Sequence, residues 1–150
     1  MYQVGNRYNT IEELLNTLGD YQLVNKKIYN AVTRRMNTVQ YVNLPAAFDI
    51  ETSSFYSNGE KRACMYIWQL GINGNCVTGR TWEEFYNAIE KINTYFGLDY
   101  DTCILPIYVH NLAYEFQFLK DRIEWTNIFA RKKRQVIKAN TKSGFELSKL

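Results

Sequence analysis

The chain has 150 residues, of which 46% are hydrophobic and 15% aromatic, which allows one domain with a substantial core and excludes an intrinsically disordered protein. Its formal charge of +3 is too small to indicate nucleic-acid binding by itself. The three cysteines lack Cys-x-x-Cys spacing, which argues against a disulfide framework and a zinc site. No apolar run approaches the roughly 18 residues of a membrane-spanning helix, and the N-terminus lacks a secretory signal, so we expect a soluble, cytoplasmic protein.

The first 44 residues carry patterns that are typical of helices. Residues 10–13, Thr-Ile-Glu-Glu, form a capping box at the start of a short helix, and Gly19 supplies its stop. Residues 21–40 contain two basic pairs among apolar residues, which predicts a second, amphipathic helix. We therefore predict a helical prefix over residues 1–44 and a main domain over residues 45–150.

Three strands joined by Asn-Gly turns are predicted next. Residues 46–55 form the first strand, and residues 62–72 and 76–78 form the second and third. Asn58-Gly59 and Asn73-Gly74 favour the tight turns that join neighbouring antiparallel strands. This part of the chain therefore predicts an antiparallel meander.

A helix and a buried strand follow the meander. A second capping box begins at Thr81, and apolar residues recur at helical spacing over residues 82–96 until Gly97. Residues 103–109 are nearly all apolar, as in a strand that is buried on both faces. Because proline cannot donate a backbone hydrogen bond, we expect Pro106 at the start of the strand proper, which then runs through Ile107, Tyr108 and Val109.

The remaining elements complete an α/β pattern. A helix is predicted from Asn111, and short strands are predicted beyond Trp125, with a turn over residues 141–144 before the last of them. A three-stranded antiparallel meander is thus extended by a strand–helix crossover. This arrangement resembles the ribonuclease H-like fold in its DnaQ-like exonuclease form, incomplete at the C-terminus.

The most informative residues are two acids on the first strand of the meander. Side chains two residues apart in a strand point to the same face, so Asp49 and Glu51 would hold their carboxylates side by side. Neighbouring carboxylates repel each other, and a divalent cation such as Mg²⁺ or Mn²⁺ removes the repulsion. The simpler interpretation is a solvated strand end.

A third acid follows the buried strand over residues 103–109. Asn111 can cap a helix, and Glu115 lies four residues further on the same face. Together with Asp49 and Glu51, Glu115 makes a plausible cage for two metal ions, which in several nucleases activate water and stabilise the leaving oxygen. Glu115 could instead only stabilise the first turn of its helix through the macrodipole.

Both motifs resemble those of one family, the 3′-5′ exonuclease domain of family B DNA polymerases, most closely the protein-primed polymerases of phages and related mobile elements. Asp49-Ile50-Glu51-Thr52 is similar to the first exonuclease motif, Asp-x-Glu-Thr. Residues 108–115 are similar to the second, in which an aromatic strand end leads into His-Asn-Leu-x-(Phe or Tyr)-Asp. The resemblance spans residues 46–150 and implies two-metal hydrolysis at a DNA 3′ end, with Asp49, Glu51 and Glu115 as metal ligands.

The resemblance also implies contacts with a single-stranded 3′ end. Thr52, Asn111 and Tyr114 would hold the strand, because an aromatic ring stacks on a base without reading its identity. A basic cluster could follow the phosphates, although such a cluster is more often a solvated turn; it consists of Arg131, Lys132, Lys133 and Arg134. In the parent polymerase this region would serve proofreading, with a terminal priming protein as a further partner and a bacterial cytoplasm as the location if a phage encodes it.

Two departures from the family pattern lead to alternatives. Glu115 stands where the family has Asp, and no Tyr-x-x-x-Asp third motif occurs before Leu150. We therefore expect a fragment or truncated gene product. The chain could also be an inactive module that binds DNA or a protein, or a different ribonuclease H-like nuclease that acts on RNA or on another DNA structure. Simpler structural roles also exist for Asn111 as a helix cap, Tyr114 as a core residue and His110 as a hydrogen-bonding group.

Overall fold

The computed structural model describes residues 6–132 and 135–150. This part of the chain is an α/β protein with ten strands and three helices. In chain order these are β1 (Arg7–Tyr8), α1 (Ile11–Asn16), β2 (Leu23–Asn30), β3 (Arg35–Val42), β4 (Ala46–Ser57), β5 (Glu60–Ile72), β6 (Asn75–Gly79), α2 (Trp82–Phe96), β7 (Cys103–Val109), α3 (Leu112–Leu119), β8 (Trp125–Ala130), β9 (Val136–Thr141) and β10 (Phe145–Lys149). Within the described ranges, no helix combines the length and the hydropathy that crossing a bilayer requires.

The strands form one mixed sheet. Its order is β1-β6-β5-β4-β7-β10-β9-β8, and the β2–β3 hairpin joins it through β3, which pairs with β7. Strands β4, β5 and β6 are the predicted antiparallel meander, and β7 and β10 continue from β4 in parallel. The carboxyl ends of β4, β7 and β10 therefore lie at the same edge of the sheet.

The core lies between one face of this sheet and helices α2 and α3. Phe48 and Ile50 of β4 are buried there, and the Phe48 ring lies 5.1 Å from that of Phe85 in α2. Leu119 of α3 is completely buried in the same hydrophobic cluster. Since side chains alternate along a strand, the neighbours of Phe48 and Ile50 point to the opposite face.

Local chemistry explains why the meander and α2 were predicted with nearly correct bounds. Asn58-Gly59 and Asn73-Gly74 both have positive φ angles, between 52° and 81°, as the two central residues of a type I′ hairpin turn require. The Thr81 hydroxyl accepts the Glu84 amide at the start of α2, and Gly97 ends the helix in a left-handed conformation.

The predicted second helix over residues 21–40 is wrong, because this segment forms the β2–β3 hairpin. Burial alternates strictly along β2, where Val24, Lys26 and Ile28 are half-buried and their neighbours exposed. That is the two-residue period of a strand, and the basic residues obscured it in the sequence. Arg34 turns the hairpin with a φ of 58°, a conformation that is uncommon outside glycine and asparagine.

The predicted start of β7 at Pro106 is also wrong, since the strand begins at Cys103 and holds the proline in its interior. The backbone N–H of Leu105 donates to the carbonyl of Gly144, the residue before β10. Because backbone groups alternate along a strand, the backbone nitrogen of Pro106 faces the opposite edge of β7. On that side β3 pairs as far as Ile104 and β4 begins to pair at Tyr108. Pro106 therefore lies at the change of partner, where a missing N–H costs no ladder hydrogen bond.

A buried ion pair holds the β2–β3 hairpin against the sheet. Glu146 of β10 is 2% exposed, and its Oε1 lies 2.6 Å from Nζ of Lys26 and 3.5 Å from Nζ of Lys138. The Asn140 amide donates to its other oxygen, at 3.2 Å. Burial by itself would raise the pKa of Glu146, but the Lys26 hydrogen bond and the Lys138 charge outweigh it and lower the pKa below its ordinary value.

Replacing Lys26 by methionine is expected to lower the free energy of unfolding at pH 7 by about 2 kcal/mol, because Glu146 would stay buried with weaker compensation. Urea denaturation measures the effect, and Lys27→Met, at the exposed neighbouring position, is the matched control. A lowered carboxyl pKa stabilises the fold above the ordinary pKa, and this stabilisation is lost as pH falls through the folded-state pKa. The difference should therefore shrink in acid; equal destabilisation by both variants would contradict the assignment.

Candidate active site

The candidate site lies where β7 stops and β4 continues. Phe48 pairs with Val109, the last residue of β7, so the next residues of β4 extend past the end of their parallel neighbour. Asp49 and Glu51 are both exposed there, on the face opposite the helices. The structure thus places the acid pair beside the carboxyl end of β7, and ligands of open α/β sheets commonly gather at strand ends of this kind.

Glu115 reaches the same point from α3. Glu115 is only 2% exposed. The backbone N–H of Ile50 donates a hydrogen bond to Oε1 of Glu115, with 3.2 Å between N and O. Because β7 has already ended, the Glu115 carboxylate takes the place of a strand partner for this amide. The carboxylate of the third acid therefore contacts β4 at Ile50, the residue between Asp49 and Glu51.

The Glu115 carboxyl is strongly perturbed. Its pKa is raised from 4.5 to about 8: burial is the largest cause, the neighbouring Asp49 carboxyl acts in the same direction, and the Ile50 hydrogen bond acts in the opposite direction. Its Oε2 is buried and has no hydrogen-bond partner among the described residues. A buried acid oxygen without a donor, next to a second carboxyl, is suited to a proton or to a cation.

Tyr66 contacts Glu51 and was not predicted as a site residue. Glu51 pairs with Ile67 and Thr52 with Met65, so Tyr66 is the extra residue of a β-bulge in β5. Its hydroxyl donates to Oε2 of Glu51 at 2.9 Å, and this hydrogen bond raises the pKa of Tyr66. The position of a bulge depends on how two strands are registered, which the sequence does not show. The only signal in the sequence for this contact was an aromatic residue in the strand that follows the acid motif.

Two predicted DNA-binding residues contact each other. The hydroxyl oxygens of Thr52 and Tyr114 lie 2.7 Å apart, and the Tyr114 ring packs edge-on against Phe118. Tyr114 remains 37% exposed, so it is not a core residue. Asn111 occupies the cap position of α3 and is exposed, but its side chain makes no capping hydrogen bond. His110 is exposed beside it.

The described residues of the basic cluster lie apart from the acids. Arg131 and Lys132 are exposed in the turn after β8, whereas Lys133 and Arg134 lie outside the described residues. The turn is at the same edge of the sheet as Asp49, but strands β7, β10 and β9 lie between β4 and β8. Adjacent strands are about 4.8 Å apart, so roughly 15–20 Å separate the turn from the acids.

The acids fit a divalent cation by their chemistry, although they do not form a closed cage. Among the residues that the structure describes, no three acidic, histidine or cysteine side chains are grouped closely enough to hold one metal ion. The partnerless Oε2 of Glu115, however, lacks the positive partner that a buried carboxylate normally has. A cation bound at Oε2 would displace the proton that burial favours on the Glu115 carboxyl.

The arrangement can exchange a proton near neutral pH, or bind a hard cation through carboxylate oxygens. The exposed Thr52–Tyr114 contact adds hydrogen-bonding and stacking groups within the same region. A scan against models of known protein families and a search of curated proteins both gave no match for this sequence.

Proposed function

We propose that the chain is a metal-dependent 3′-5′ exonuclease region of the kind found in protein-primed DNA polymerases. One observation carries the proposal: Glu115 lies against the strand that bears Asp49 and Glu51, with a buried carboxylate oxygen that has no partner among the described residues. Ile50, between the two acids of the first motif, and Glu115 of the second are 65 residues apart in sequence, and the fold brings the three acids together beside the end of β7. Proton-dependent structural pairing of Asp49 and Glu115 is the competing explanation.

The strand order supports a ribonuclease H-like fold for this region. Three antiparallel strands in the order β6-β5-β4 are followed by β7 and β10, both parallel to β4. Helix α2 connects β6 to β7 and α3 follows β7. In this fold the acids of the first motif stand on the central strand, and Asp49 and Glu51 stand on the central strand β4, beside the carboxyl end of its parallel neighbour β7.

In this proposal Asp49, Glu51 and Glu115 hold two Mg²⁺ or Mn²⁺ ions. The ions, when bound, would activate water and stabilise the leaving 3′ oxygen. Glu115 must lose its proton to take part, so its raised pKa makes metal binding weaker in acid. Tyr66 orients the Glu51 carboxylate through its hydroxyl.

Thr52, Tyr114 and Asn111 would hold the terminal nucleotides. Tyr114 is exposed enough to stack on a base, and its hydroxyl contact with Thr52 fixes the ring beside the acid strand. Asn111 has no side-chain capping bond, which leaves its amide available to the strand. Such contacts are insensitive to base identity, as removal of any 3′-terminal nucleotide requires.

The decisive experiment incubates the purified chain with 5′-labelled single-stranded DNA and Mn²⁺. We expect a ladder of products that shortens from the 3′ end, and a 3′-phosphorothioate end is expected to slow it. The same DNA labelled at the 3′ end should lose its label at the first step.

Other outcomes separate the alternatives. DNA binding without any degradation would replace the nuclease proposal by an inactive DNA-binding module. Degradation of RNA but not DNA would favour a different ribonuclease H-like nuclease. Internal cleavage products without a ladder would exclude an exonuclease.

A further inference from the structure

The β4–β5 hairpin extends beyond the rest of the sheet as a two-stranded ribbon. We call residues 52–57 and 60–65 the β4–β5 ribbon. Strand β7 pairs with β4 only as far as Phe48, and β6 pairs with β5 only from Trp68 onwards. The ribbon strands pair with each other throughout, in register up to the Asn58-Gly59 turn. The ribbon therefore projects from the molecule with both edges unpaired within the described sheet.

The tip of the ribbon carries an aromatic and a basic residue on each face. Phe55 pairs directly with Arg62, and Tyr56 pairs directly with Lys61, so that each pair shares one face. Phe55 is 45% exposed and Tyr56 is 75% exposed. Neither ring belongs to the hydrophobic core cluster, and exposed aromatic surface of this kind is typical of a binding site.

The base of the ribbon is the candidate active site. Thr52 pairs with Met65 at the start of the ribbon, and the bulged Tyr66 follows Met65 and contacts Glu51. Strands rise about 3.4 Å per residue, so Phe55 lies about 14 Å from Glu51. Between them the residues are small, which leaves an open path along the ribbon; these are Ser53, Ser54, Ala63 and Cys64.

We propose that the β4–β5 ribbon binds the single-stranded DNA that leads into the site. The two cations at the tip complement phosphates, and only Glu60 opposes them, in an exposed ion pair with Arg62 at 3.6 Å. The rings of Phe55 and Tyr56 supply faces on which unpaired bases stack, whereas the bases of a duplex are already stacked on each other. The role as a substrate path rests on the proposed function, but the binding itself does not require catalysis.

The test measures the fluorescence anisotropy of labelled oligothymidine of about 20 nucleotides with the whole chain in EDTA, where no cleavage occurs. Phe55→Ser combined with Tyr56→Ser is expected to weaken binding at least about 10-fold, from the loss of base stacking. Lys61→Gln combined with Arg62→Gln should weaken it and reduce its salt dependence. Tyr29→Ser, at an exposed aromatic residue on the other hairpin, is the matched control and should bind like wild type.

Unchanged binding by both ribbon variants, or equally tight binding of a duplex of the same length, would overturn the proposal. If wild type gives a 3′-5′ ladder and the ribbon variants have an unchanged KM, the proposal for the ribbon is wrong and the exonuclease proposal stands. If the ribbon variants bind more weakly but wild type degrades nothing, the ribbon binds DNA and the exonuclease proposal is wrong.

Discussion

Replacing Asp49 by asparagine is expected to reduce 3′-end degradation of single-stranded DNA by at least about 10²–10³-fold. The amide keeps the shape of the carboxyl group but loses the charge that a divalent cation needs. It also removes the charge next to Glu115, which contributes to the raised pKa of that acid. The rate is measured under single-turnover conditions with 5′-labelled DNA and saturating Mn²⁺.

Glu90→Gln is the matched control for this variant. Glu90 is an exposed acid on α2, outside the candidate site and the β4–β5 ribbon. It should degrade DNA at the wild-type rate. If Asp49→Asn retained wild-type activity in a preparation with the native circular dichroism spectrum, Asp49 would have no place in the proposed site.

Replacing Glu115 by glutamine is expected to remove a pH dependence from the stability of the metal-free protein. The pKa of Glu115 is raised from 4.5 to about 8 in the fold. A raised carboxyl pKa stabilises the fold below the unfolded-state pKa, and this stabilisation is lost as pH rises through the folded-state value. The wild type should therefore lose stability between about pH 4.5 and pH 8, by roughly 4 kcal/mol, whereas glutamine stays neutral throughout.

Urea denaturation in EDTA at pH 5, 6.5 and 8 checks this expectation. The variant should be more stable than wild type at pH 8 and similar at pH 5, while Glu60→Gln, at an exposed site, should follow the wild-type curve. Added Mn²⁺ should restore the stability of wild type at pH 8, since a cation that binds only the folded state stabilises it. A parallel pH dependence in wild type and Glu115→Gln would show that Glu115 is not the titrating group.

Features that depend on neighbouring residues were predictable from the sequence. The Asn58-Gly59 turn and the Thr81 cap act through backbone groups within a few residues, so their sequence signals are sufficient. The β2–β3 hairpin was missed because its stability comes from pairing with β7 and from the contact of Lys26 with Glu146, 120 residues away. Distant partners of this kind leave no local pattern.

Some features of the candidate site also follow from local sequence, and others depend on distant contacts. The sequence determined the local placement of the candidate residues, because Asp49 and Glu51, two residues apart in a strand, must share a face and Asn111 must stand near a helix start. Only the tertiary structure decided that Glu115 is buried against Ile50 with a raised pKa, that Tyr66 bulges out to meet Glu51, and that the β4–β5 ribbon projects from the site. The physical reason is that spacing fixes the direction of a side chain, whereas its solvation, its charge and its neighbours depend on where β7 ends and how β5 is registered against β4.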